Sequence, residues 1–206
     1  MKYLFLFSFL CTTFTTVLAQ PVNVNIEYTV DIPNPTGKLI FYNPGELLTI
    51  SAFAGDTDIN SSAVAITSSG FAFKAGFKNA GGKAALNIKV YCSLDKQMSW
   101  MKPAGKNEYI LQHEQQHFNI SYLGAMEFMQ QLKAATFTID NINKLIEKLY
   151  NQSTKNMEEL QQAYDGETQN GIIKDRQQYW NEKINKMLLL IRRDVNHTST
   201  IRAGKQ

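Results

Sequence analysis

The spacing of apolar residues changes once along this chain, near residue 104, and that change determines the fold class. Before it, apolar and polar residues alternate with period two, as at residues 22–30 and 84–92, which is typical of half-buried strands. After it, apolar residues recur every three or four positions, which is typical of amphipathic helices. Strands followed by helices predict an α+β fold, in which an N-terminal antiparallel sheet packs on three C-terminal helices.

Turn-forming residues divide the first half into short predicted strands. The alternation predicts strands at residues 22–30, 47–53, 63–67, 70–77 and 84–92. Residues 31–45 contain three prolines and two glycines and are predicted to be irregular around a short apolar run at residues 39–42. The second half predicts helices at about residues 107–135, 140–164 and 172–193, with Asn107 as the N-cap of the first.

The N-terminal end has the pattern of a signal peptide at residues 1–19. Lys2 supplies a positive charge, an apolar run follows to about Phe14, and Val17-Leu18-Ala19 forms a small-residue cleavage site. The mature protein is therefore expected to be exported, either to the periplasm or out of the cell. Residues 20–195 are predicted to form a single α+β domain, mainly strands at 20–103 and mainly helices at 104–195, and residues 196–206 a polar tail.

Charge and hydropathy exclude several classes of partner. The chain has 21 basic and 18 acidic residues, and Lys2 is removed with the signal peptide, so the balance is too small to indicate nucleic acid or an anionic membrane surface. No later apolar run reaches membrane-spanning length, so no stable membrane insertion is expected after cleavage. Cys92 alone remains in the mature chain, which excludes an internal disulfide. The oligomeric state is not predicted.

Two of the three histidines lie in one predicted helical segment, His113-Glu114-Gln115-Gln116-His117. Side chains four residues apart leave the same face of a helix, so both imidazoles can bind one Zn²⁺. Glu114 can reach a metal-bound water as its general base. The alternative is two polar residues at the edge of an amphipathic helix with Glu114 in solvent. The combined H-E-x-x-H pattern favours the metal site.

A catalytic zinc site normally has three protein ligands and a water, so a third ligand must come from elsewhere. A third histidine further along the same helix is absent because Leu123 stands at the position that some zinc peptidases use. His197 lies in the predicted tail. The candidates are Asp165 and Glu167 in the glycine-containing turn at residues 164–171, and the alternative is that both cap the third helix or face solvent.

The chain resembles an uncharacterised family of exported bacterial proteins that are classed as secreted zinc-dependent proteases. The resemblance covers most of the mature sequence and rests on Ala65-Ile66-Thr67-Ser68-Ser69-Gly70, Ser99-Trp100, Leu111-Gln112-His113-Glu114-Gln115-Gln116-His117-Phe118, the Tyr-Asp-x-x-Thr turn at Tyr164, Asp165 and Thr168, and Gln177 with Trp180. It implies a bacterial, zincin-like domain that acts on a peptide or protein. The family turn continues Thr-x-His, whereas Asn170, a poor zinc ligand, stands here.

The leading hypothesis is an exported zinc metallopeptidase in which His113, His117 and Asp165 bind Zn²⁺ and Glu114 is the general base. Glu167 remains the alternative third ligand. A hypothesis of another class is a non-catalytic exported binding module on a degenerate zincin-like scaffold, which Asn170 supports. A third is a structural metal that holds the helices together.

Overall fold

The computed structural model describes residues 22–81 and 83–203, with side chains described up to residue 192. The predicted signal peptide therefore lies outside the described residues. In chain order the elements are β1 (Val22–Tyr28), β2 (Leu39–Phe41), a 3-10 turn at Ile50–Ala52, β3 (Ala65–Ile66), β4 (Ser69–Ala80), β5 (Lys83–Asp95), β6 (Trp100–Met101), a second 3-10 turn at Pro103–Gly105, α1 (Glu108–Ala134), α2 (Ile142–Thr168) and α3 (Lys174–Ala203). The predicted α+β class, with strands followed by three helices, is confirmed.

Strand β5 is the centre of the main sheet. β4 pairs antiparallel with it along one edge, while β1 and β2 share the other edge. β2 is antiparallel to β5, but β1 is parallel to it, so the sheet is mixed and the prediction of an antiparallel sheet was wrong for β1. The reason is that apolar and polar residues alternate in the same way whichever direction a strand runs.

The segment at residues 47–53, which alternation predicted as a strand, is a loop that ends in a 3-10 turn. Its Leu48 N–H donates to Oε1 of Gln115 on α1 at 2.7 Å, a side-chain partner instead of a neighbouring strand. Leu48, Ala52 and Phe53 are buried, so the loop covers α1 with its apolar side chains. The strand prediction was wrong here because a loop can also bury a short apolar run, and the buried residues 48, 52 and 53 do not alternate as in a strand.

One face of β5 forms the centre of the core. Leu86, Ile88, Val90, Cys92 and Leu94 are almost fully buried, whereas Asn87 and Lys89 on the opposite face are exposed. Since successive strand residues point to opposite faces, the alternation buries the apolar row against the helical layer. α1 covers this row and contacts β1, β4 and β5.

Helix α1 is enclosed by the rest of the protein for most of its length. The predicted N-cap is confirmed, because Oδ1 of Asn107 accepts from the Ile110 N–H at 3.0 Å. From residue 113 to 126 every residue except His117 is buried. The sheet covers one side of α1, and α2 and α3 cover the other. A helix that is buried on all sides is a rigid support for side chains that project from it.

Helices α2 and α3 both extend beyond their predicted ends. α2 continues to Thr168, and a tight turn follows in which Gln169, Asn170 and Gly171 all have positive φ angles of 49°, 53° and 82°. α3 runs to Ala203, so residues 196–203 are helical where a polar tail was predicted. None of the helices in the described residues combines the length and the apolar content that a membrane crossing requires.

Candidate metal centre

Three side chains from two helices meet at one point. His113 and His117 project from α1, and Asp165 projects from the last turn of α2. Asp165 Oδ1 lies 3.0 Å from His117 Nε2 and 3.3 Å from His113 Nε2, and the two Nε2 atoms are 3.2 Å apart. The structure thus brings together the two histidines and the aspartate named from the sequence, in a group that could hold a metal ion.

A close crossing of α1 and α2 brings Asp165 to the histidines. A Cβ added at Gly124 of α1 would lie 3.0 Å from the Cβ of Met157 on α2, so only glycine permits this approach without a shift. Asp165 lies two turns beyond Met157 on α2, and His117 lies about two turns before Gly124 on α1. The crossing point therefore sets the separation of the ligands.

Glutamine side chains orient both imidazoles. Gln177 Oε1 lies 2.8 Å from His113 Nδ1, and Gln161 Oε1 lies 2.5 Å from His117 Nδ1. An amide oxygen only accepts hydrogen bonds, so each Nδ1 carries the proton and donates it. Each Nε2 is left with a lone pair directed toward the shared point, which is the tautomer that metal binding requires.

The amide groups of both glutamines are themselves fixed. Gln161 Nε2 donates to the backbone oxygen of His117 at 2.9 Å. Gln177 Nε2 donates to Tyr164 Oη at 2.6 Å and to Asn181 Oδ1 at 2.8 Å. These bonds place the amide oxygen of each glutamine toward a histidine. Tyr164 also stacks on the His113 ring, with ring centroids 4.7 Å apart.

The donor set fits a tetrahedral divalent metal. Asp165 Oδ1 is buried and accepts no hydrogen bond within the described part of the chain, although two Nε2 atoms lie close to it. Two imidazole lone pairs and a carboxylate oxygen repel one another at such distances unless a cation lies between them. Zinc bonds of 2.0–2.1 Å in a tetrahedron place ligand atoms about 3.3–3.4 Å apart, close to the 3.0–3.3 Å observed here.

The charges of this group depend on one another. Burial alone would raise the pKa of Asp165, but the adjacent imidazoles of His113 and His117 hold it well below its usual range. Burial alone would lower the pKa of His117, but Asp165 and Glu114 raise it above its usual value. The group therefore favours a positive charge beside Asp165, which a metal ion or a proton on His117 could supply.

Glu114 lies on α1 directly after the first ligand and is buried. Thr67 Oγ1, just after β3, donates to Glu114 Oε2 at 2.6 Å. This bond fixes one carboxylate oxygen. The other, Oε1, has no hydrogen-bond partner among the described residues that would compete for a proton. A buried carboxylate with one oxygen fixed and the other unpaired can act as a general base.

The metal group lies in the wall of an open cleft of about 720 Å³. Residues 62–67, which include β3, form part of its lining with Ser69 of β4, and the rest comes from α1, α2 and the turn after α2. Within the two-stranded sheet β3 pairs only with β6, so its second edge has no partner strand in the part of the chain that the structure describes. Residues of β3 and the metal group thus line the same cleft.

The other candidates from the sequence lie apart from the metal group. Glu167 pairs with Arg176 and accepts from Trp180 Nε1 at 3.1 Å, so α3 engages the carboxylate that was the alternative third ligand. Asn170 lines the cleft but is not one of the three clustered ligands. The side chain of His197 lies outside those described.

Sequence reasoning missed the roles of Thr67, Gln161 and Gln177. Gln161 precedes Asp165 by one helical turn, so both lie on one face of α2, a spacing that was a usable signal. Gln177 was part of the resemblance but had no role attached to it. Nothing in the local sequence linked Thr67 to Glu114, because 47 positions separate them along the chain.

Comparison with known proteins supports only the family resemblance. Residues 93–171 match the model of a family described as a bacterial protein of unknown function, DUF922. The matched part runs from the end of β5 through α1 and α2 and contains the three clustered ligands and Glu114. No curated protein and no solved structure matches the chain. The match agrees with an uncharacterised bacterial family and assigns no activity.

Proposed function

We propose that this protein is an exported zinc-dependent hydrolase that cleaves peptide bonds. The observation that carries the proposal is the buried Asp165 Oδ1, which lies without a hydrogen bond beside two imidazole lone pairs. Three protein ligands that open onto a cleft are typical of a catalytic zinc site, whereas structural sites are closed by four. The predicted signal peptide supports export.

Different residues around the candidate ligands would have different roles in hydrolysis. When bound, zinc supplies Lewis-acid activation of water and of the substrate carbonyl. Glu114 accepts the proton of the attacking water at Oε1 while Thr67 holds Oε2. Glu114 can then deliver that proton to the leaving amine, which balances the hydrolysis of an amide. Gln161 and Gln177 keep both Nε2 lone pairs available throughout.

A polypeptide substrate is supported by the open edge of β3. An extended peptide can add to an unpaired strand edge through its backbone groups, whatever its side chains are. Residues 63–67 line the cleft that contains Glu114, so a peptide on this edge would pass the metal group. A non-catalytic binding module was the alternative because Asn170 replaces a histidine. The group that could hold a metal does not include Asn170, which favours the hydrolase over that alternative.

The experiment that tests the proposal measures metal and turnover in the same samples. The mature protein is purified without chelators or a histidine tag, and its zinc is measured by elemental mass spectrometry. We expect near-stoichiometric zinc, lost in His113→Ala, and hydrolysis of a mixed peptide library.

The Glu114→Gln variant separates binding from chemistry. We expect it to keep its zinc and lose turnover, because glutamine has the shape of glutamate but does not accept the proton. Glu108→Gln is the matched control, since Glu108 is an exposed carboxylate at the start of the same helix. Full turnover in Glu114→Gln, or no zinc in the wild-type protein after incubation with excess metal, would refute the proposal.

A further inference from the structure

The lining of the cleft combines apolar side chains with one carboxylate, that of Glu158, which lies outside the metal group and is not Glu114. We infer that the cleft selects extended polypeptide segments with an apolar side chain beside the metal group and a lysine or arginine about three residues away. This inference rests on the proposed function, because it names the substrate class of the same site. It is carried by Val64, Ile66, Ile110, Ile172 and Glu158, all of which line the cleft.

The apolar part of the lining is large and open to solvent. Val64 and Ile66 alternate with Ala65, so they share one face of the strand segment, and they are 39% and 40% exposed. Ile172 is 76% exposed and follows Gly171, where an added Cβ would lie 3.2 Å from His113 Nδ1. Covering such side chains is favourable in proportion to the apolar area removed from water, so a leucine-like residue is favoured beside the metal group.

Ile110 extends this apolar surface along α1. It precedes His113 by three residues and Glu114 by four, so it lies on the same face of the helix, one turn away. A charged substrate side chain at this point would lose hydration without gaining a partner. The apolar residue of the substrate is therefore expected next to the bond that is cleaved.

The charge of the cleft comes from α2. Outside the metal group and Glu114, Glu158 is the only ionisable side chain among the described lining residues, and no lysine or arginine accompanies it. No ion pair joins Glu158 to another described residue, whereas its neighbour Glu159 pairs with Lys155 at 3.7 Å. A cationic substrate side chain is the complement that Glu158 lacks.

The position of Glu158 determines where the cation should lie. Glu158, Gln161 and Asp165 follow one another at helical spacing and all line the cleft, so they form one row on α2. Glu158 and Asp165 are seven positions apart, which corresponds to about 10 Å along the helix axis. An extended peptide rises about 3.3 Å per residue and covers that distance in about three residues.

The test measures peptide binding to the zinc-loaded Glu114→Gln protein, so that recognition is read without cleavage. The probes are two short fluorescein-labelled peptides with a central leucine that differ only in having lysine or glutamate three positions to either side. We expect the lysine peptide to bind about fivefold more tightly at low ionic strength, as one solvent-exposed charge pair allows, and less so at high salt. No binding of either peptide would overturn the inference.

Charge reversal at Glu158 and at its neighbour Glu159 tests whether Glu158 causes the preference for the lysine peptide. Adding Glu158→Lys should reverse the order of the two peptides, whereas adding Glu159→Lys, on the same helix but outside the lining, should leave it unchanged. An unchanged order in the Glu158→Lys protein, or an equal change in both, would contradict the assignment. Binding with this charge dependence, together with no cleavage by the wild-type protein, would refute the hydrolase and leave the recognition intact.

A second pair of variants tests the apolar contact in the same assay. Ile172→Ser should weaken binding of the lysine peptide about threefold to tenfold, because the loss of an apolar contact surface removes part of the burial energy. Ile173→Ser is the control, since Ile173 is the next residue, is 37% exposed and does not line the cleft. Equal effects of the two substitutions would show that Ile172 makes no specific contact with the peptide.

Discussion

Gln161 offers a direct measure of how much the orientation of one imidazole contributes to metal binding. Gln161→Leu keeps the size of the side chain but removes the acceptor that lies 2.5 Å from His117 Nδ1. It also removes the donor that holds the His117 backbone oxygen at 2.9 Å. The His117 ring then loses the partner that selects its tautomer, and the buried Nδ1–H is left unpaired.

The expected loss is large enough to measure. Removing a hydrogen-bond partner of a metal-binding histidine typically lowers metal affinity about 10–100-fold, which corresponds to about 1.4–2.7 kcal/mol. The metal-free protein should lose about 1–3 kcal/mol of stability from the unpaired donor. The metal affinity is measured by competition with a chromophoric chelator at fixed pH, and the stability by urea unfolding of the metal-free protein.

Gln162→Leu is the matched control for Gln161→Leu. Gln162 is exposed, lines the same cleft and makes no hydrogen bond to a histidine in the described residues. Its substitution should leave the zinc affinity unchanged. If the two variants bound zinc equally well, the orientation of His117 by Gln161 would have no energetic role.

Two further predictions concern the turn after α2 and the pH dependence of the site. Gly171→Ala should lower the free energy of unfolding in urea by about 1–2 kcal/mol, because the φ angle of Gly171 is 82° and the new Cβ would lie 3.2 Å from His113 Nδ1. The control is Gly166→Ala, which should not destabilise the protein because its new Cβ would lie in open space within α2. The raised pKa of His117 stabilises the metal-free fold at low pH, and this contribution is lost as the pH rises above the unfolded-state value of about 6.5. The lowered pKa of Asp165 stabilises the fold above its unfolded-state value of about 4, and this contribution is lost as the pH falls below that value. Their sum is therefore largest at about pH 4–6.5. Zinc binding would displace the proton of His117. The stability gained with zinc, measured in parallel unfolding curves, should therefore increase from about pH 5 toward about pH 8. A gain that stays constant with pH would contradict the assignment of the proton to His117.

Local spacing was sufficient to predict the three helices of this protein and to bring together part of the candidate site. His113, Glu114 and His117 were identifiable because a helix converts a spacing of four into a shared face, and α1 has the N-cap that Asn107 predicted. Asp165 was one of two carboxylates in the turn, and spacing alone did not distinguish it from Glu167. Only the packing of α3, which brings Arg176 to Glu167, separates the two.

The N-terminal half was less predictable because the alternation of apolar and polar residues is compatible with a parallel strand, an antiparallel strand or a loop. The direction of β1 depends on the path of the chain between the strands, which alternation does not record. The loop that contains Leu48 buries apolar residues and donates a backbone hydrogen bond from Leu48 N–H to Oε1 of Gln115 on α1. The bond from Thr67 to Glu114 forms only when β3 and α1 come together, so no short-range pattern encodes it.

The burial of α1 from residue 113 to 126 has a consequence for hydrogen exchange. Amide protons in a helix that is covered on every side exchange only when the whole domain opens, so those of α1 should be among the slowest in the protein. Loss of a bound metal would leave the residues that cover α1 in place, so the same amide protons should also exchange slowly in the metal-free protein. The candidate ligands would then be positioned before an ion arrives. The rate of metal binding should be limited by diffusion and by deprotonation of the ligands instead of by folding.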